Sequence, residues 1–181
     1  MKPDSLLKNL LCTKALEFAR NAHQGQQRKS FDHASYITHP IAVAERLTDW
    51  VTDPEIIAAA YLHDVVEDTS ASIAELRSQF GDRVANLVLE LTSDEDLKQK
   101  LGKAKYLIEK INHMTPDARL IKFVDREQNV KDLLQTSPEF QRRYAQETDE
   151  ILNGLKFIPS AIEQVLIASI RTKIQPFLIS Q

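Results

Sequence analysis

The chain has 181 residues, of which 43% are hydrophobic and 27% charged, the size and balance of one globular domain, which excludes a disordered, collagen-like or membrane identity. A domain of this size buries about 70% of the surface its unfolded chain exposes, so any metal serves chemistry rather than folding. Lys and Arg number 23 against 26 Asp and Glu, for a net charge of −3 without a block of like charge, and nucleic acid is not an expected partner.

The single cysteine, Cys12, has no internal partner and fits a reducing compartment, so a cytoplasmic protein is expected. Lys8, Asn9 and Lys14 interrupt the leucines between Met1 and Phe18, so no signal peptide is read there. The longest apolar run, Ile56 to Leu62, falls far short of the ~20 residues of a membrane span, and no membrane partner is expected. Only four glycines are present, and neither GxGxxG nor GxxxxGK[ST] occurs. A phosphate must therefore be held by side chains or a metal.

In chain order, the periodicity and the start and stop signals predict helices over 5–23, 40–50, 54–66, 72–80, 82–91, 96–113, 116–135, 138–153 and 160–171. Pro40, Pro54, Pro116 and Pro138 stand where the first helical turn tolerates proline. Ser72 with Glu75 forms a capping box, while Gly81 and Gly154 are expected to close helices in the left-handed conformation. The fold class is all-α, with a short extended piece at Ser35 to Thr38 inside the longest loop, Gly25 to Thr38. The segment Ile158 to Ile179 is apolar enough to cap the core or to form a homodimer face.

The chemistry concentrates in AAAYLHDVVEDT. On a continuous helix, His63 lies above Glu67 and Asp64 above Asp68, crowding three carboxylates and an imidazole within six residues. Such a group is compensated either by a divalent cation or by solvent at a helix end. His39 opens the next helix after the irregular loop, and Asp125, with Asn129 one turn later, interrupts the apolar Leu120, Ile121, Phe123 and Val124. Singly, His39 reads as a helix cap and Asp125 as half of a buried salt bridge. His23, His33 and His113 are assigned to surface or helix-end roles.

The segments AHQGQQRKS, SYITHPIAVA, AAYLHDVVEDT, FGDRVANLV and KFVDREQN stand in an order that resembles the HD superfamily of metal-dependent phosphohydrolases. More narrowly, they resemble the hydrolase domain of RelA/SpoT-type (p)ppGpp enzymes, including the small stand-alone versions. The resemblance runs from about Ala15 to Leu134. It implies one helical HD hydrolase domain over 1–181, on which the helices of 138–181 pack, and a single metal, usually Mn²⁺, bound by His39, His63, Asp64 and Asp125. Glu67 and Asp68 are then the acidic pair beside the attacking water, and Arg28 and Lys29 lie near the nucleotide and its phosphates. Two imidazoles and two carboxylates suit Mn²⁺, Fe²⁺, Co²⁺ or Zn²⁺, and the lack of thiolates argues against structural zinc.

The Asp125 helix departs from the family pattern. Glu127 and Gln128 stand where the family commonly has Leu or Met and then an aromatic residue or His, and Asp132 replaces a small hydroxyl residue. Asn129 and Asp132 are taken as substrate-binding, with Gln128 and Asp132 on the Asp125 stripe and Glu127 pointing elsewhere. With the chain ending at Gln181, the expectation is a protein that degrades the alarmone and does not make it. The expected activity is hydrolysis of the 3′-diphosphate of (p)ppGpp. The alternatives are a phosphatase on another nucleotide, such as the 2′-phosphate of NADPH or a nucleoside monophosphate, and a non-catalytic nucleotide-binding HD module.

Overall fold

Asp53 and Pro54 start the helix on which the first half of the molecule is built. The Asp53 carboxylate accepts from the Glu55 amide at 2.9 Å, and Pro54 supplies a first-turn residue that needs no hydrogen-bond partner for its nitrogen. The residues that follow, Ile56 to Leu62, are all buried, so this helix has no solvent face.

The computed structural model describes Leu7 and residues 9–28 and 34–178. Their regular elements are α1 (Leu10–Ala22), α2 (Thr38–Leu47), α3 (Pro54–Leu62), α4 (Val65–Asp68), α5 (Ile73–Phe80), α6 (Asp82–Leu91), α7 (Glu95–Leu101), α8 (Lys103–His113), α9 (Pro116–Lys131), a 3₁₀ turn (Asp132–Gln135), α10 (Pro138–Asn153) and α11 (Ala161–Leu178). Among the described residues the structure is all-α, as predicted, with one isolated antiparallel bridge between Gln27 and Ser35.

The helices form two compact units, which divide at Ser93 and Asp94. In the first, α3 packs against α1, α2 and α6, and α5 packs against α6. Cys12 of α1 is fully buried in this unit, with its sulfur 3.5 Å from the Pro54 carbonyl oxygen. In the second, α11 packs against α9 and α10, α10 against α8, and α7 against α8. Leu166, Ile170 and Ile174 form the buried face of α11, so this segment caps the core of its own unit. Arg119 of α9 and Glu163 of α11 make a mostly buried ion pair at 2.9 Å. Burial disfavours the Glu163 carboxylate, but the hydrogen bonds from Arg119 and Ser160 outweigh it and hold the carboxyl below its usual range.

Several predicted helices differ from those observed. The predicted helix 54–66 ends at Leu62, and His63 and Asp64 form a turn before α4. The predicted helix 96–113 is two helices separated by Gly102, whose φ of +82° requires glycine. The last helix runs on to Leu178 through Pro176, because Ile174 still has a core to enter. Gly81 has the expected left-handed φ of +87°, but Gly154 does not. Its φ is −86°, and a Cβ there would lie 2.7 Å from Ile108, so close packing of α10 on α8 is what requires glycine.

Candidate metal centre

Three polar side chains of the first unit converge where α2 begins and α3 ends. His39 lies in the first turn of α2, and its amide bonds the Tyr36 carbonyl at 3.0 Å. His63 caps the C-terminal end of α3, and Asp64 follows in a turn conformation with φ −103° and ψ −6°. Both imidazoles are buried and their ring centres are 5.3 Å apart.

The tautomer of His63 follows from its neighbour. Nδ1 lies 2.8 Å from the Ala60 carbonyl oxygen, which only accepts, so Nδ1 carries a proton, and in the neutral ring Nε2 presents a lone pair. That lone pair is 3.1 Å from Oδ2 of Asp64, and Nε2 of His39 is 4.0 Å from the same oxygen. A lone pair facing a carboxylate oxygen at this distance is repulsive unless a positive charge lies between them. Two imidazole nitrogens and one carboxylate oxygen therefore form a donor set that fits a divalent cation with mixed nitrogen and oxygen preference.

Tyr36, which the sequence reading left without a role, holds this carboxylate from the other side. Its hydroxyl donates to Asp64 Oδ2 at 2.6 Å. Burial, and then the charge of Asp64, pushes the phenol well above its usual range, so it remains a donor. On α4, Glu67 and Asp68 are exposed. Glu67 Oε2 accepts from the Ser93 amide at 2.9 Å. Desolvation, followed by the charge of Asp64, raises the Asp68 carboxyl above the usual carboxylate range, while the Tyr36 hydrogen bond works in the opposite direction.

His23 takes the helix-end role expected of it. It caps the C-terminal end of α1, as a helix-end residue, but it is buried rather than on the surface. Cys12, Ala15 and Ala19 form the buried stripe of α1, and His23 follows Ala19 at the next helical repeat. That periodicity was the available signal. His113 ends α9's predecessor α8 and is exposed, as expected, and His33 lies outside the described residues.

In the second unit, Asp125 is buried on α9. Lys122 donates to its Oδ2 at 2.9 Å and Asn129 to its Oδ1 at 2.6 Å, so residues one turn before and one turn after grip the carboxylate. Asp125, like His39 and His63 in the first unit, is a buried side chain that offers an atom able to ligate a metal ion. Glu127 turns to α11, where Lys173 lies 3.0 Å away and Ser169 also donates to it. Its charge is therefore balanced inside the second unit. Asp132 caps α9 and is half-buried. Arg28 is half-buried, with its amide bonded to the Ala34 carbonyl at 2.8 Å, and Lys29 lies outside the described residues.

A family model described as the HD domain matches residues 15–156. The chain belongs to the HD-domain family. Among HD-domain relatives, human guanosine-3′,5′-bis(diphosphate) 3′-pyrophosphohydrolase MESH1 is 35% identical over 159 residues, covering 84% of this chain and 88% of that protein. The bifunctional (p)ppGpp synthase/hydrolase SpoT of Escherichia coli K12 is 40% identical over 158 residues, but this chain spans only 22% of its length. A solved structure described as a metazoan ortholog of SpoT that hydrolyzes ppGpp superposes with a TM-score of 0.83 at 28% identity, covering 95% of this chain and 98% of that one. Among the described residues, no helix is long and apolar enough to cross a membrane.

Proposed function

We propose that this HD-domain chain hydrolyses the 3′-diphosphate of (p)ppGpp to GDP or GTP and pyrophosphate, as one hydrolase domain acting in the cytoplasm. The observation that carries this reading is the approach of two buried imidazoles to one oxygen of Asp64, in a chain that matches most of the length of a relative named for this reaction. His39, His63, Asp64 and Asp125 are the proposed ligands of one divalent cation, with Mn²⁺ first among Mn²⁺, Fe²⁺, Co²⁺ and Zn²⁺. A cation bound there supplies a water of lowered pKa and polarises a phosphoryl oxygen.

The side chains of this chain do the rest. Glu67 and Asp68 orient the attacking water and accept its proton. The water oxygen bonds to the phosphorus attached to the 3′ oxygen, that phosphorus–oxygen bond breaks, and the 3′ oxygen takes up a proton. Arg28 and Lys29 neutralise the phosphates, the first through a bidentate fork and the second as a point charge. Asn129 holds Asp125 in place, and Asp132 faces the purine or ribose.

Product analysis with Mn²⁺ present tests the reading. Pyrophosphate and GDP in equal amounts from ppGpp are the expected products. Orthophosphate from NADPH or a nucleoside monophosphate, with ppGpp left intact, would assign the site to a phosphatase. Saturable nucleotide binding without turnover would make the chain a binding module.

Asp132 has a measurable consequence of its own. A carboxylate near the nucleotide repels phosphate, so Asp132→Thr is expected to lower KM for ppGpp about three- to ten-fold, with Mn²⁺ affinity unchanged. Glu127→Leu is expected to leave KM alone, because that carboxylate is already paired with Lys173. Steady-state kinetics on both variants check this, and an unchanged KM for Asp132→Thr places its side chain away from the substrate.

A further inference from the structure

The side chains behind Asp64 form a continuous chain that reaches back to the end of α1. His23 Nδ1 is 2.8 Å from Gln26 Oε1, and Gln26 Nε2 donates to the Asp68 carbonyl at 2.9 Å. The His23 ring lies against the Tyr36 ring, with centres 4.7 Å apart and planes inclined by 34°. The Tyr36 ring in turn meets His39 edge-on, with centres 6.3 Å apart, and its hydroxyl donates to Asp64. The Tyr36 amide bonds the Gln26 carbonyl at 3.0 Å, which fixes the backbone of the loop beneath the ring.

We propose that Tyr36 is a positioning residue for the metal: it sets the Asp64 carboxylate through its hydroxyl and the His39 ring through its edge, and His23 holds it in place. The inference rests on the proposed metal ligands. Asp64 is only partly buried, on a turn between two helices, so nothing in regular backbone structure determines where its carboxylate points. A carboxylate with one oxygen held by a phenol loses rotational freedom before the cation arrives, and hydrogen-bonding partners of this kind tune affinity as strongly as many ligands do. His23 carries a further sign of this role. Its Nε2 is buried and makes no hydrogen bond among the described residues, a cost that an apolar side chain of similar size avoids. What the imidazole adds is the Nδ1 bond to Gln26, and with it the tie to Asp68.

Tyr36→Phe keeps the ring and removes only the hydroxyl. Titration calorimetry with Mn²⁺ on the purified protein is expected to show a 10- to 100-fold weaker Kd, with the melting temperature of the metal-free protein unchanged. The rate of ppGpp hydrolysis is expected to recover towards wild type as Mn²⁺ is raised, which a general loss of structure would not allow. If the wild type binds Mn²⁺ and Tyr36→Phe binds it equally well, the inference is overturned and the metal reading stands. If the wild type binds no Mn²⁺, both fail together. Should Tyr36→Phe also lower the metal-free melting temperature, His23→Leu supplies the comparison, because it leaves the hydroxyl in place. A smaller loss of Mn²⁺ affinity is then expected, and a loss as large as that of Tyr36→Phe overturns the role of the hydroxyl.

Discussion

His63→Ala and Asp125→Asn are each expected to abolish stoichiometric metal binding and to lower ppGpp hydrolysis by at least about 100-fold. The two changes test opposite parts of the chain. His63 is fixed by its Nδ1 bond to Ala60, so its Nε2 is aimed before any cation arrives, and replacing it removes a proposed ligand while leaving α3 itself intact. Asp125→Asn keeps the shape of the side chain, and its remaining oxygen still accepts from Lys122 or Asn129, so the loss is one of charge. Metal content after dialysis, measured beside the melting temperature, separates ligand loss from unfolding. Stoichiometric metal retained by both variants would sink the ligand assignment.

The second large effect concerns proton transfer. Glu67→Gln and Asp68→Asn are expected to retain the metal and the fold and to lower kcat by about 100-fold or more, the usual cost of removing a positioned acid or base. Glu67→Gln keeps an oxygen for the Ser93 amide, so the connection from α4 to the loop after α6 survives the change. Desolvation and then the field of Asp64 keep the Asp68 carboxyl above the usual range, against the opposing hydrogen bond from Tyr36. The variant with the larger fall in kcat identifies the base, and wild-type turnover in both would reduce the pair to a solvated helix end.

The starts of helices that carry both a cap and a proline were legible from the sequence. Asp53 with Pro54, Thr115 with Pro116 and Ser137 with Pro138 each accept an amide of the first turn as the pattern implies. The proposed ligand segments could be singled out because His39, His63, Asp64 and Asp125 stand in short motifs whose order resembles the HD family. The break at His63 was not legible, since VVED continues the helical pattern and the contact that holds Asp64 comes from Tyr36, 28 residues away. The burial of His23 was not legible for a related reason. A polar residue before a glycine turn suggests the surface, and only the stripe through Cys12, Ala15 and Ala19 carries the opposite message. The end of α11 was set too early, because local stop signals say nothing of the core that Ile174 reaches.

The burial of Cys12 has a practical use. Its thiol is fully enclosed, donates to the Pro54 carbonyl, and is pushed up to about 11 by burial and then by the charge of Asp53. Almost none of it is thiolate at neutral pH, and the thiolate is the form that attacks alkylating reagents. A cysteine introduced at Ile158, which is 93% exposed, can therefore carry a fluorophore or spin label while the native thiol stays silent. Motions of the labelled unit can be followed spectroscopically without first deleting Cys12 from the packed helix it belongs to.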